Sequence, residues 1–153
     1  MNIFVLHESP QKSAQMQCDK HVVKMILETA QMLCTVASQQ GCSTPYRATH
    51  ASHPCTIWAS QSSANWWWLV DHGMALCEEY TRRYNKIHKS QKVIEYCKTL
   101  RLKFPRSTPT PFAQAMPQQY KHEDPVQAYR AYYKGEKSGF ATWKTEAPKW
   151  WRE

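Results

Sequence analysis

Long hydrophobic runs are missing from this chain. No apolar stretch approaches the roughly 20 residues that cross a bilayer as a helix, which excludes a membrane-spanning helix. The opening, MNIFVLHESP, lacks a basic stretch followed by an apolar one, so no secretory signal is visible and a cytoplasmic location is expected. Cys-x-x-Cys pairs are absent too: Cys18, Cys34, Cys42, Cys55, Cys77 and Cys97 lie far apart. That spacing excludes a structural zinc site of the usual kind and, without secretion, predicts reduced thiols in or near the core. The alternation of apolar and polar residues that marks a half-buried strand is almost absent. Acidic residues are few, 12 against 20 Lys and Arg, which leaves a net charge of +8. Basic residues carried within helices and loops favour a polyanionic partner, a nucleic acid or a nucleotide. No repeat, low-complexity tract or long linker interrupts the 153 residues, so a single domain, 1–153, is expected.

What is present is helical periodicity. Residues 2–6 form a short apolar lead-in, read as an extended segment or strand, and the pattern then predicts a first helix over 13–39, stopped by Gly41. Further helices are expected over 56–62 behind Pro54, over 63–86, over 90–102 and over 125–143. Residues 104–117 hold four of the nine prolines and predict an irregular arm on the surface. The expected fold is mainly α: a helical core over 13–103, a proline-rich arm over 104–124, then a C-terminal helix and an aromatic tail with Trp150 and Trp151.

The segment CDKHVVKMILETAQMLCTVASQ carries the strongest chemical signal. At 100° per residue, Val22, Val23, Ile26, Leu27, Ala30, Leu33, Cys34 and Ala37 form one apolar surface. Lys20, His21, Lys24, Glu28, Gln31 and Thr35 fall on a narrow stripe opposite it. Amines, an imidazole, a carboxylate and an amide in register supply proton donors, acceptors and anion binders. The helix over 63–86 has a similar stripe with Asn65, Trp68, His72, Glu79 and Arg83. Glu79 and Arg83, spaced i, i+4, can orient each other, although an exposed pair of this kind contributes only a few tenths of a kcal/mol. Packed side by side, the two helices are expected to place Lys24, Glu28, Gln31, Asn65, Glu79 and Arg83 around one cleft.

The loops add imidazoles and cations. His50 and His53 sit in ATHASHPC beside Tyr46, and Lys86, His88 and Lys89 sit in KIHKS. His-x-x-His without a nearby carboxylate is a weak metal signal, so no metal or other cofactor is expected; phosphate binding or acid–base work suits these histidines better. Most aromatics are expected to fill interhelical gaps, with Trp68 and Tyr46 the candidates to stack on a base.

The blocks MNIFVL, CDKHVVKMILETAQMLCT, ATHASHPCTIW, NWWWLV, EEYTRRYNKIHKS, TPFAQAMP and DPVQAYRAYY span the whole chain. They resemble a family of small proteins of tailed bacteriophages, some of them labelled pyrimidine-dimer DNA glycosylase. The resemblance implies a small, basic, helical protein acting in the cytoplasm of an infected bacterium. Glycosylases of the endonuclease V type use a free N-terminal amine with a helix glutamate, a part that Glu28 matches here. The start departs from that pattern. Asn2 behind Met1 disfavours removal of Met1 and an apolar run follows at once, which moves the expected nucleophile to Lys20 or Lys24.

The expected activity is therefore that of an enzyme on DNA or nucleotides, with base excision as the specific reading. Catalysis is assigned to Lys24, Glu28, His21 and His53. Substrate and phosphate binding is assigned to Lys20, Gln31, Tyr46, His50, Asn65, Trp68, Glu79, Arg83, Lys86, His88 and Lys89. Two alternatives stand beside it: a nucleotide-sequestering protein of an anti-defence kind, and an inhibitor of a host protein acting through the arm.

Overall fold

Six α-helices and two short 3-10 turns make up the fold, without any strand, in a computed structural model that describes residues 1–153 throughout. The helices are α1 (Pro10–Met16), α2 (Asp19–Gln39), α3 (Pro54–Gln61), α4 (Ser63–Tyr84), α5 (Gln91–Lys98) and α6 (Pro125–Glu136). The turns are Gln118–Tyr120 and Lys149–Arg152. The two long helices, α2 and α4, pack on each other; α1, α3 and α5 surround them.

Local chemistry sets most boundaries. Gly41 takes φ +86 just past α2, a left-handed position that costs glycine little. Pro54 opens α3 with His53 as cap, Ser62 caps α4 through Asn65 N at 3.0 Å, and Asp124 caps α6 through Val126 N at 3.0 Å. Asn85, left-handed at φ 56, stops α4 two residues before the predicted end. Helix α5 starts one residue into its predicted span and stops four residues short of its end. Helix α6 ends at Glu136, and the chain after it folds back on α2: Thr142 O accepts from Asp19 N at 2.8 Å.

The predicted first helix is two helices. It breaks at Gln17 and Cys18, both extended. Neither residue is a helix breaker, so the cause is tertiary. The Arg83 guanidinium donates to the carbonyls of Gln15 (3.0 Å) and Gln17 (2.8 Å), which closes the C-terminal end of α1. Gln17 turns inward to His72 at 3.0 Å, and Cys18 N donates to the Tyr133 hydroxyl at 3.3 Å.

Residues 2–6 are buried but belong to no sheet or helix. Side chains replace the ladder. Asn2 Oδ1 accepts from the backbone N–H of Ile3 (2.7 Å) and Phe4 (3.1 Å), and Asn2 Nδ2 donates to Ala115 O at 2.8 Å. Ser13 Oγ accepts from Leu6 N at 3.0 Å and donates to Phe4 O at 3.1 Å, while Arg130 Nε donates to Leu6 O at 3.0 Å. Phe4 holds φ 40, a left-handed turn for a bulky residue that costs about 1–3 kcal/mol and persists only where its surroundings enforce it. The start of the chain is thereby threaded through the core and delivered to a fixed point on α2.

Candidate active site

That fixed point is Glu28. The Met1 α-amine lies 3.0 Å from Glu28 Oε1, anchored by a Met1 side chain that is 3% exposed. Oε1 has no other close partner. Lys24 Nζ stands 3.8 Å from Oε2 across one helical turn, with its side chain 65% exposed. A buried carboxylate is unfavourable unless a cation pairs with it, and here the pairing cation is the backbone amine.

His53 closes the other side. Its Nδ1 accepts from Cys55 N at 3.1 Å as the cap of α3, so its proton sits on Nε2. The ring meets the Met1 backbone; burial first, then the adjacent α-amine and His50, hold its pKa below the usual histidine value. It is a neutral donor at neutral pH. Cys55 lies below the same spot, and burial pushes its thiol up to about 12, which makes it a packing group and not a nucleophile.

The loop carrying these histidines is tied to α2 by a reciprocal pair: Thr35 Oγ1 donates to Thr49 O and accepts from Thr49 N, both at 3.0 Å. Next to Glu28 on α2, Leu27 and Gln31 join Pro45, Tyr46, Arg47 and Thr49 around an open depression of about 460 Å³. His50 sits at the rim with φ 52, its Nδ1 2.9 Å from Thr49 Oγ1. Tyr46 faces the depression while its hydroxyl meets Ser90 Oγ at 2.9 Å.

Several predicted site residues are elsewhere. The cleft between α2 and α4 does not form. Asn65 gives both amide hydrogens, to Trp58 O (2.8 Å) and Thr110 Oγ1 (2.6 Å), and accepts from Thr110 N at 3.1 Å, fastening the proline-rich arm with nothing left for a base. Glu79 and Arg83 form a buried pair at 3.1 Å that Asp19 joins at 3.1 Å. With its carbonyl bonds, that engages the whole Arg83 guanidinium in structure. Trp68 stacks on His72 at 4.8 Å and donates to Glu8 O at 2.8 Å. His88 bonds Val23 O and Ser90 N, each at 3.0 Å, and orders its own loop. Lys86 and Lys89 are exposed and away from Glu28's ion pairs.

His21 is corrected as well. It is buried, meets the Tyr133 hydroxyl at 2.6 Å and stacks on Phe4 at 4.3 Å. Burial, then Lys137, Lys24 and Lys20, lower its pKa to about 3, too low for acid–base work near neutral pH. The stripe on α2 is not a solvated face. His21, Glu28 and Thr35 are buried under the N-terminal segment, α6 and the 42–53 loop, whereas Val23 and Leu27 of the apolar set are exposed. No three His, Cys, Asp or Glu side chains converge as metal ligands would, so His50 and His53 lack a third partner. All six cysteines are thiols, and five of them are buried.

Two participants fell outside the predicted set, the Met1 amine and Arg47. The apolar run directly behind Met1 was the available signal for the first. Residues that bury themselves fix the terminus that precedes them, and a lone buried glutamate on the facing helix needs a cation.

Fold and site together define a small basic helical protein whose candidate site sets an amine against a carboxylate at the start of the chain. Residues 1–92 match the pyrimidine dimer DNA glycosylase family, and the chain belongs to it. That stretch contains Met1, Glu28 and the 42–53 loop; the arm, α6 and the tail lie beyond it. No curated protein and no solved structure matches the chain.

Proposed function

We propose that the protein excises damaged pyrimidines from DNA, with the Met1 α-amine as nucleophile in place of Lys24 or Lys20. The observation that carries this reading is the 3.0 Å pair of the Met1 α-amine and buried Glu28. In support, the family acts on DNA containing pyrimidine dimers, and the charge of +8 suits a phosphate-rich substrate.

In this reaction the amine passes a proton to Glu28 and attacks C1′ of an extruded nucleotide. The C1′–N bond breaks, and its electron pair leaves with the base, which takes up a proton. Loss of a second amine proton and opening of the sugar, with O4′ protonated as it leaves C1′, gives a C1′ imine on the amine. Glu28 handles the protons and stabilises the positive charge that develops at C1′. His53, donating from Nε2 toward the Met1 backbone, is a positioning residue. The Leu27–Thr49 depression, with Gln31, Tyr46 and Arg47, receives the displaced nucleotide. Lys24, solvated and one turn away, serves as a phosphate contact.

Borohydride reduction of the full chain with a duplex carrying one pyrimidine dimer tests this. The expected result is a covalent adduct by intact mass that maps to the Met1 peptide, and a loss of at least about 100-fold in trapping rate for Glu28→Gln. An adduct at Lys20 or Lys24 would overturn the assignment of the amine. If damaged DNA gives no adduct while nucleotides bind natively and return unchanged, the excision reading fails and a sequestering role replaces it.

A further inference from the structure

Three lysines converge where the chain beyond the family match folds back onto the start of α2. Lys20 Nζ lies 4.8 Å above the ring of Phe140. Lys137 Nζ lies 4.7 Å above the ring of Tyr132, 5.7 Å above that of Phe4 and 3.4 Å from the Tyr132 hydroxyl. With Lys24 they surround His21, whose ring meets Phe140 at 5.6 Å and whose own protonation they oppose. Phe140 is itself 37% exposed, an apolar ring held in water beside the amines.

The group has little counter-charge. The ion pairs of the chain join Met1 and Lys24 to Glu28, Arg82 to Glu79, and Arg83 to Asp19 and Glu79; none includes Lys20 or Lys137. Asp19, the nearest acid in sequence to Lys20, is occupied by Arg83 and by Lys144 N at 3.0 Å. Lys20 and Lys137, held on aromatic faces without carboxylates, and Lys24, which shares its one acid with the Met1 amine, repel one another in the free protein, and a row of phosphates relieves that repulsion. The row also points at the candidate active site. Lys20, Lys24 and Glu28 follow one another at single helical turns along α2, about 12 Å from first to last, the rise of three to four nucleotides of one DNA strand.

We infer that Lys20, Lys24 and Lys137, with Phe140 packed among them, form the surface that grips the DNA backbone beside the reacting nucleotide. Half of the grip is thus built by the C-terminal part of the chain, outside residues 1–92. The inference rests on the proposed function for its substrate, DNA, but not for the excision chemistry.

The test is the salt dependence of binding to an undamaged duplex, read by fluorescence anisotropy for the full chain and for Lys20→Ala, Lys137→Ala, Lys137→Gln and Lys103→Ala. Lys103 is the control. Its backbone bonds the Gln40 side chain at 2.7 and 2.9 Å, at the far end of α2, about 30 Å from Lys20. Each variant of Lys20 or Lys137 is expected to lower the slope of log K against log salt by about one and to weaken binding several-fold at moderate salt. Lys103→Ala is expected to match the parent. Equal losses at all positions, no loss at Lys20 and Lys137, or no salt-dependent binding by the parent chain would overturn the surface. Unchanged thermal melting of the variants excludes unfolding as the cause. If the slopes follow this pattern and borohydride trapping fails, the grip stands and the excision chemistry falls. Trapping with slopes indifferent to Lys20 and Lys137 is the converse.

Discussion

Arg83 shows how far one side chain can depart from its apparent role. In sequence it is a cation spaced four residues after a glutamate, suited to holding phosphate; in the fold it is 8% exposed and holds two carboxylates and two carbonyls. Breaking a buried pair by removing one partner leaves the other charge uncompensated, which typically costs about 3–5 kcal/mol. Arg83→Met is expected to destabilise the protein by that amount in urea unfolding at pH 7. Arg83→Lys should recover only part of the loss, because an ammonium cannot reproduce the planar fork. Lys86→Ala, three residues on and exposed, is expected to leave the midpoint unchanged. A loss below about 1 kcal/mol for Arg83→Met would return Arg83 to the list of candidate binding residues.

At the scale of elements, the crossing of α2 and α4 depends on Gly73. A Cβ at this position would stand 2.9 Å from Thr29 Cγ2 and 3.0 Å from Ile94 Cδ1, so α2 and α5 both close on α4 where it has no side chain. Alanine would gain about 1 kcal/mol of helix propensity, but crowding a close-packed interior costs about 1–3 kcal/mol. Gly73→Ala is therefore expected to be net destabilising, by up to about 2 kcal/mol in the same urea assay, and a stabilised variant would show that the crossing relaxes freely. The helices were legible because breakers are local: Pro54 and Gly41 act through the backbone beside them, whereas the left-handed stop at Asn85 was not foreseen. The break at Gln17–Cys18 was not, since Arg83, His72 and Tyr133 impose it from 55 to 115 residues away. Glu28 was legible as the carboxylate of the candidate site. The partner amine was set aside, because the apolar run behind Met1 reads as a departure from an N-terminal nucleophile when that run is what fixes the terminus against α2. The α4 stripe misled for a related reason: a polar face that meets the carbonyl end of another helix has the same period as one that meets solvent.

Across the whole molecule, the neutral histidines tie stability to pH. Burial holds His72 at about 4, with Nδ1 donating to Pro10 O at 3.0 Å and Nε2 accepting from Gln17. His21 is held at about 3 by burial and by the three lysines around it. Above the ordinary histidine value of 6.5, folded and unfolded chains are both neutral at these positions, and no linkage arises. As pH falls below it, the unfolded chain takes up protons that the folded one refuses. Stability therefore decreases with acidification until the folded values near 3 and 4 are reached. Each site contributes a slope approaching 1.4 kcal/mol per pH unit, or about 2 kcal/mol apiece by pH 5, a large share of the 5–15 kcal/mol typical of a domain. His7, His53 and His88 are lowered as well and act in the same direction. Urea unfolding at pH 7, 6 and 5 should show the midpoint falling steeply. His72→Gln should be less stable at pH 7 yet show a shallower fall, because one refused proton is gone. A variant slope equal to the parent's would mean that His72 charges inside the fold, with Pro10 O and Gln17 rearranged to receive it.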